Sequence, residues 1–98
     1  MIINHKKTED ILTIAPEGRI DSVTSGEFEA FIDQQLTDDV RKLSLDFSGV
    51  DFISSKGLRV IVSLYKKLGE GSLEITGANT SVKEVFRLSG LMKIINIQ

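Results

Sequence analysis

Four consecutive residues, Ser54-Ser55-Lys56-Gly57, bring two hydroxyls, a cation and a glycine to the point where one hydropathy period gives way to another. Upstream, Leu43, Leu45 and Phe47 alternate with Ser44 and Asp46, which is the period of a strand. Downstream, Leu58, Ile61, Val62, Tyr65 and Leu68 fall on one face of a helix. The quartet therefore opens a helix, where unpaired N–H groups and the positive end of the macrodipole attract anions. A serine hydroxyl there can cap the helix or carry a phosphate, and capping is the commoner duty. Lys56 can pair with a phosphate held nearby. Equally, it can be a solvated lysine in the first turn, where it opposes the dipole. Gly57 permits a close approach of the helix start to a neighbouring backbone, or is simply a glycine tolerated near a helix end.

Other chemistries find less support. His5 is the only histidine, with no cysteine in the chain and no spacing that makes a ligand set or a triad. Gly69-Glu70-Gly71 lacks the Lys-Ser/Thr ending of a phosphate loop. No paired acid–base groups stand out, so neither catalysis nor a cofactor is expected. The 98 residues suit one domain over residues 1–98, and a hydrophobic fraction of 41% with 27% charged is ordinary for a globular chain. Twelve basic and 14 acidic residues are interspersed at a net charge of −2, without the basic stripe that nucleic acid requires. The absence of cysteine fits a reducing compartment. The opening MIINHKKTED carries charges where a leader needs an apolar stretch, and no run approaches a membrane span. A cytoplasmic protein without membrane insertion is expected.

The elements that must hold the quartet follow from periodicity. Ile2 to Lys7 and Ile11 to Ala15 read as a hairpin around Thr8-Glu9-Asp10. Pro16 suggests an irregular, edge-like strand end, and Gly18 a bulge. From Ser22 the spacing of Phe28, Phe31, Ile32 and Leu36 predicts a helix, capped by Ser22 or Thr24, with Thr24 and Glu27 forming a capping box. Val40 to Phe47 is the next strand. The central helix stops at Gly69, and Ser72 to Thr76 is a strand. Asn79 or Thr80 caps a third helix that buries Val82, Val85 and Phe86, and Ile94 to Ile97 is a last short strand. The order is ββαβαβαβ, an α/β domain with a mixed, mostly parallel sheet and crossover helices. Asp21 and Asp46 end strands at the carboxyl edge, where sites are built in open α/β sheets. Asp46 reads equally well as a loop or cap residue.

The run Asp46-Phe47-Ser48-Gly49-Val50-Asp51-Phe52-Ile53-Ser54-Ser55-Lys56-Gly57-Leu58 resembles the D-x-S-x-V-x-x-[IM]-[DS]-S-x-G-L signature of STAS domains, the bacterial anti-sigma factor antagonists and their relatives. The likeness covers nearly the whole chain. It implies that Ser55 is the phosphoacceptor, with Ser54, at a position often aspartate in the family, the less favoured alternative. Lys56 stands where a small residue is usual. Asp21 lies in a G-x-[IL]-D stretch similar to the segment lining the family's partner surface. With Ser54, Lys56 and Gly57 it makes up the implied partner- and phosphate-binding surface. The implied partners are an anti-sigma factor that is also a serine kinase, and a serine phosphatase. Phosphorylation would switch binding off, and the domain would be a substrate rather than an enzyme. A STAS accessory subunit of a transporter complex, without phosphorylation, is the alternative. Many members continue into a further helix that is expected to be absent here, which would leave apolar sheet surface open and favour a homo-oligomer.

Overall fold

The computed structural model describes residues 1–98. Along the chain run β1 (Ile2–Thr8), β2 (Ile11–Ile20), α1 (Thr24–Gln35), β3 (Lys42–Asp46), β4 (Val50–Ile53), α2 (Ser55–Leu68), β5 (Leu73–Thr76) and α3 (Thr80–Leu88). A 3-10 turn at Leu91–Lys93 and β6 (Asn96–Ile97) close it. The sheet order is β1-β2-β3-β5-β6, with β4 added beside β2. Only β1 is antiparallel to its neighbour. The expected single α/β domain with a mixed, mostly parallel sheet is therefore present, with six strands and three α-helices.

The string ββαβαβαβ needs one correction, because it omits β4. Its residues Val50 and Ile53 are buried while Asp51 and Phe52 between them are exposed, so no period-2 alternation marks the strand. β4 also follows Ser48-Gly49, which reads as an ordinary turn. Asp46 Oδ1 accepts the Ser48 N–H at 3.0 Å and the Val50 N–H reaches the Phe47 carbonyl at 2.9 Å, which bends the chain between β3 and β4.

β2 is the strand with the most partners, pairing with β1, β3 and β4. It pairs with β1 from Ile11 to Glu17, and on its other side with β3 from Ile11 to Ile14 and with β4 from Gly18 to Ile20. Pro16 falls in the gap between those two parallel partners, so the ladder on that side loses nothing to its missing N–H. The strand therefore continues to Ile20 instead of stopping at Ala15. Gly18, at φ +100°, takes the irregularity where the register shifts, as its position in the sequence suggested. Near the C-terminus, Gly90 at φ +81° starts the 3-10 turn and shortens the expected last strand to Asn96–Ile97.

All three helices lie on one face of the sheet. Leu12, Ile14, Leu43, Leu45, Leu73 and Ile75 are buried in one cluster with Phe28 and Ile32 of α1, Ile61 and Leu64 of α2, and Val82 and Phe86 of α3. Phe47 sits between Phe28 and Phe86, with ring centroids 6.4 and 6.0 Å away. The opposite sheet face is mostly polar, with Ile2 and Ile11 exposed on it at the two ends of the β1–β2 hairpin. Ser44 donates to Glu74 at 2.9 Å, and Lys42 pairs with the same carboxylate at 2.9 Å. Further apolar surface is open at the end of α3 and the corner after it, where Leu88, Met92 and Ile94 are exposed.

Candidate functional site

Parallel pairing of β2 with β4 creates the site. The register sets Ile20 beside Ile53, and the Ser54 N–H continues the ladder to the Ile20 carbonyl at 2.8 Å. The residues that leave the two strands, Asp21 and Ser54, are thereby placed side by side at the carboxyl edge. From that edge α1 and α2 both depart, so two helix N-termini open onto the same surface.

Asp21 starts α1. Its Oδ1 accepts the Val23 and Thr24 amides, both at 2.9 Å. The Thr24 hydroxyl turns back, accepting the Asp21 N–H at 2.9 Å and donating to the Arg19 carbonyl at 2.6 Å. Neither Ser22 nor Thr24 is the cap, and Glu27 closes no capping box; its carboxylate accepts from the Met1 ammonium at 3.3 Å. Asp21 displaces them because its carboxylate can take two amides at once. The Thr24 amide first and the Val23 amide second hold the Asp21 carboxyl below its ordinary value.

Ser54 starts α2. Its backbone is extended, at φ −91° and ψ 174°, and its Oγ accepts the Gly57 N–H at 3.2 Å. The Leu58 N–H bonds the Ser54 carbonyl at 2.9 Å. Ser55, the first helical residue, is exposed, and its hydroxyl meets no hydrogen-bond partner in the chain. Gly57 is buried against β2 and β4. A Cβ there would lie 2.7 Å from Ile53 Cγ1, 2.9 Å from Ile20 Cγ2 and 3.2 Å from the Ile20 carbonyl oxygen. Of its two readings, close approach is the one realised. Lys56 lines a groove between α1 and α2 and makes no ion pair.

The structure thus brings Asp21, Ser54, Ser55, Lys56 and Gly57 to one edge. Asp46 is not among them, since its carboxylate braces the bend after β3. Two groups escaped notice in the sequence. The Arg19 guanidinium lies 4.3 Å from the centroid of the half-exposed Phe52 ring, a cation–π pair created by the Arg19–Phe52 register of β2 and β4. Val23, 84% exposed, projects at the start of α1. Nothing in the one-dimensional pattern marks the Arg19–Phe52 pair, because it depends on a strand that does not alternate. His5 remains on β1, with its ring edge-on to Phe31 at 5.2 Å. No three His, Asp or Glu side chains converge to hold a metal, and no helix is long and apolar enough to cross a membrane.

A family model for the STAS domain matches residues 3–98. BtrV of Bordetella bronchiseptica, provisionally named an anti-sigma factor antagonist, is 30% identical over 99 residues, covering 99% of this chain and 85% of that protein. An anti-sigma factor antagonist from Mycobacterium paratuberculosis has a crystal structure that superposes with a TM-score of 0.88 at 25% identity, over 98% of this chain and 83% of the other. The anti-sigma factor antagonist SpoIIAA of Bacillus in its unphosphorylated form shares the fold, with a TM-score of 0.83 at 19% identity over 99% of this chain and 88% of the other. SpoIIAA is also solved in a phosphorylated form.

Proposed function

This chain belongs to the STAS domain family, and on that premise we propose that it acts as an anti-sigma factor antagonist switched by phosphorylation of Ser55. In this reading the unphosphorylated domain docks an anti-sigma factor with serine kinase activity, and the sigma factor is released. The kinase transfers a phosphoryl group to Ser55, docking is lost, and a serine phosphatase restores it. The chain is a binding module and a substrate, without catalysis of its own.

One observation carries the reading: Ser54 caps α2, which leaves the adjacent Ser55 hydroxyl exposed and unengaged. A phosphate there adds about −1.5 to −2 charges at a helix N-terminus. Locally that charge is welcome, because it faces the positive end of the dipole. The fold should therefore tolerate the modification, while a docked surface that must shed water around Ser55 would not. Asp21, Lys56, the Arg19–Phe52 pair and Val23 surround the same edge and supply the mixed charged and apolar character of a protein-binding surface.

Incubation with the cognate kinase and ATP should add one phosphate, and Ser55→Ala should abolish it while Ser54→Ala leaves it intact. Ser55→Asp should weaken kinase binding without lowering the melting temperature. Phosphate mapped to Ser54, with Ser55→Ala still modified, would reverse the assignment of the two serines. No phosphate on either residue in the presence of a bound partner kinase would remove the switch.

A further inference from the structure

We propose that the groove between α1 and α2 is a binding site for a small oxyanion, a phosphate or carboxylate group. The site is separate from the Ser55 hydroxyl and does not rest on the phosphorylation reading. The groove encloses about 400 Å³. The start of α1 and the turn before it line it with Ser22, Ser25, Gly26 and Glu29, and α2 lines it with Lys56, Arg59 and Ser63. These spacings make one continuous stripe on each helix. A stripe facing a neighbouring helix is ordinarily apolar, but here only Val23 and Val60 are, the other lining residues being small, polar or charged, and the seam stays open.

Three observations indicate what the opening accepts. Ser25 lines the groove and is only 5% exposed, and its hydroxyl, which has no partner in the chain, keeps its contact with solvent there. A hydroxyl with that access can donate to water or to a bound anion. Gly26 is a helical glycine without a positive φ, and a Cβ built on it would meet nothing within 4 Å. Neither backbone conformation nor packing calls for glycine, and alanine would favour the helix. The Gly26 amide, in the first turn of α1, bonds no carbonyl or side chain of the protein and is open to a ligand. Across the groove, Lys56 and Arg59 have no carboxylate within 4.0 Å. α2 also has no acidic residue in its first turn to neutralise them. A groove-lining hydroxyl, a helix amide without a carbonyl partner and two unpaired cations border one space, and an oxyanion satisfies all of them. Glu29 bounds the same groove, which disfavours a polyanion large enough to fill it. Occupancy would neutralise Lys56, the residue next to Ser55, and so alter the surface offered to a partner.

The test is an amide NMR titration of the full chain with inorganic phosphate and, separately, with acetate, each against sodium chloride at matched ionic strength. Saturable shifts are expected at the Ser25 and Gly26 amides. Saturation by both anions assigns a general oxyanion site, and saturation by one assigns that group. Arg59→Ala should weaken binding about tenfold, the loss expected for one charge-assisted hydrogen bond. Gly26→Leu should fill the groove and abolish the shifts, with the fold verified by circular dichroism. Should that variant fail to fold, Arg59→Ala decides alone. Ser55→Ala should bind like the parent, which separates this site from the proposed switch. Shifts that are equal in chloride, unchanged by Arg59→Ala, or lost in Ser55→Ala would each overturn the proposal.

Discussion

Ser54 and Ser55 differ by one position and by everything that surrounds their hydroxyls. The first accepts the Gly57 N–H at 3.2 Å, and the second faces solvent. Ser54→Ala should therefore cost about 1 kcal/mol of stability, the usual loss for a helix cap, measurable by urea unfolding. Ser55→Ala should cost much less. Gly57 is constrained from the other side. A methyl group there would overlap Ile53 Cγ1 at 2.7 Å and Ile20 Cγ2 at 2.9 Å, with the Ile20 carbonyl oxygen just beyond at 3.2 Å. α2 would have to lift from β2 and β4, so Gly57→Ala should destabilise by about 1–3 kcal/mol. It should also displace Ser55 from the edge. A melting temperature equal to the parent's would show that the helix start gives way more easily than this packing suggests.

At the scale of elements, one side chain couples α3 to β4. Asn79 Oδ1 accepts the Val82 N–H at 2.8 Å as the cap of α3, and its Nδ2 donates to the Val50 carbonyl at 3.3 Å. Asn79→Ala removes both bonds and should cost about 1–2 kcal/mol, whereas Asn79→Asp keeps the cap and loses only the tie to β4. Comparing the two by denaturant unfolding separates the terms. The cap of α3 was legible in the sequence to within one residue, Asn79 or Thr80, as were all three helices, because a cap next to a 3.6-residue period is a local signal. So was the junction at Ser54, where the period changes from two to 3.6. β4 was not, since its burial depends on β2 and α3, which lie far away in sequence. The candidate site divides in the same way. Ser54, Ser55 and Gly57 form a contiguous motif and can be read directly. Arg19 against Phe52 exists only through strand register. Asp21 was placed on the right edge, but its work as the cap of α1 was assigned to Ser22 or Thr24, because three capping-type residues stand within four positions.

For the molecule as a whole, acid sensitivity follows from carboxylates held below their ordinary values. Hydrogen bonds from the Thr24 and Val23 amides do this for Asp21, and those from Lys7 and then Thr37 lower Asp39 to about 2. Lys42 followed by Ser44 lowers Glu74, and Arg87 lowers Glu84. Each folded-state value lies below the unfolded one, so the contribution is fully present above the ordinary values of 3.8 for Asp and 4.5 for Glu. It is lost as pH falls through the lowered values, down to about 2 for Asp39. Urea midpoints should hold steady from pH 7 to 5 and then drop, with a shallower acid limb in Asp21→Asn. A midpoint unchanged at pH 3 would contradict this. The double partnership of β2 has a further consequence, for a chain cut in two. A nick between Asp38 and Asp39 would leave β1, β2 and α1 on one fragment and every parallel partner of β2 on the other. Neither fragment could set Asp21 beside Ser54, so neither should bind the partner alone. Mixing them should restore binding through non-covalent complementation, and binding by the isolated C-terminal fragment would show that the edge does not need its shared strand.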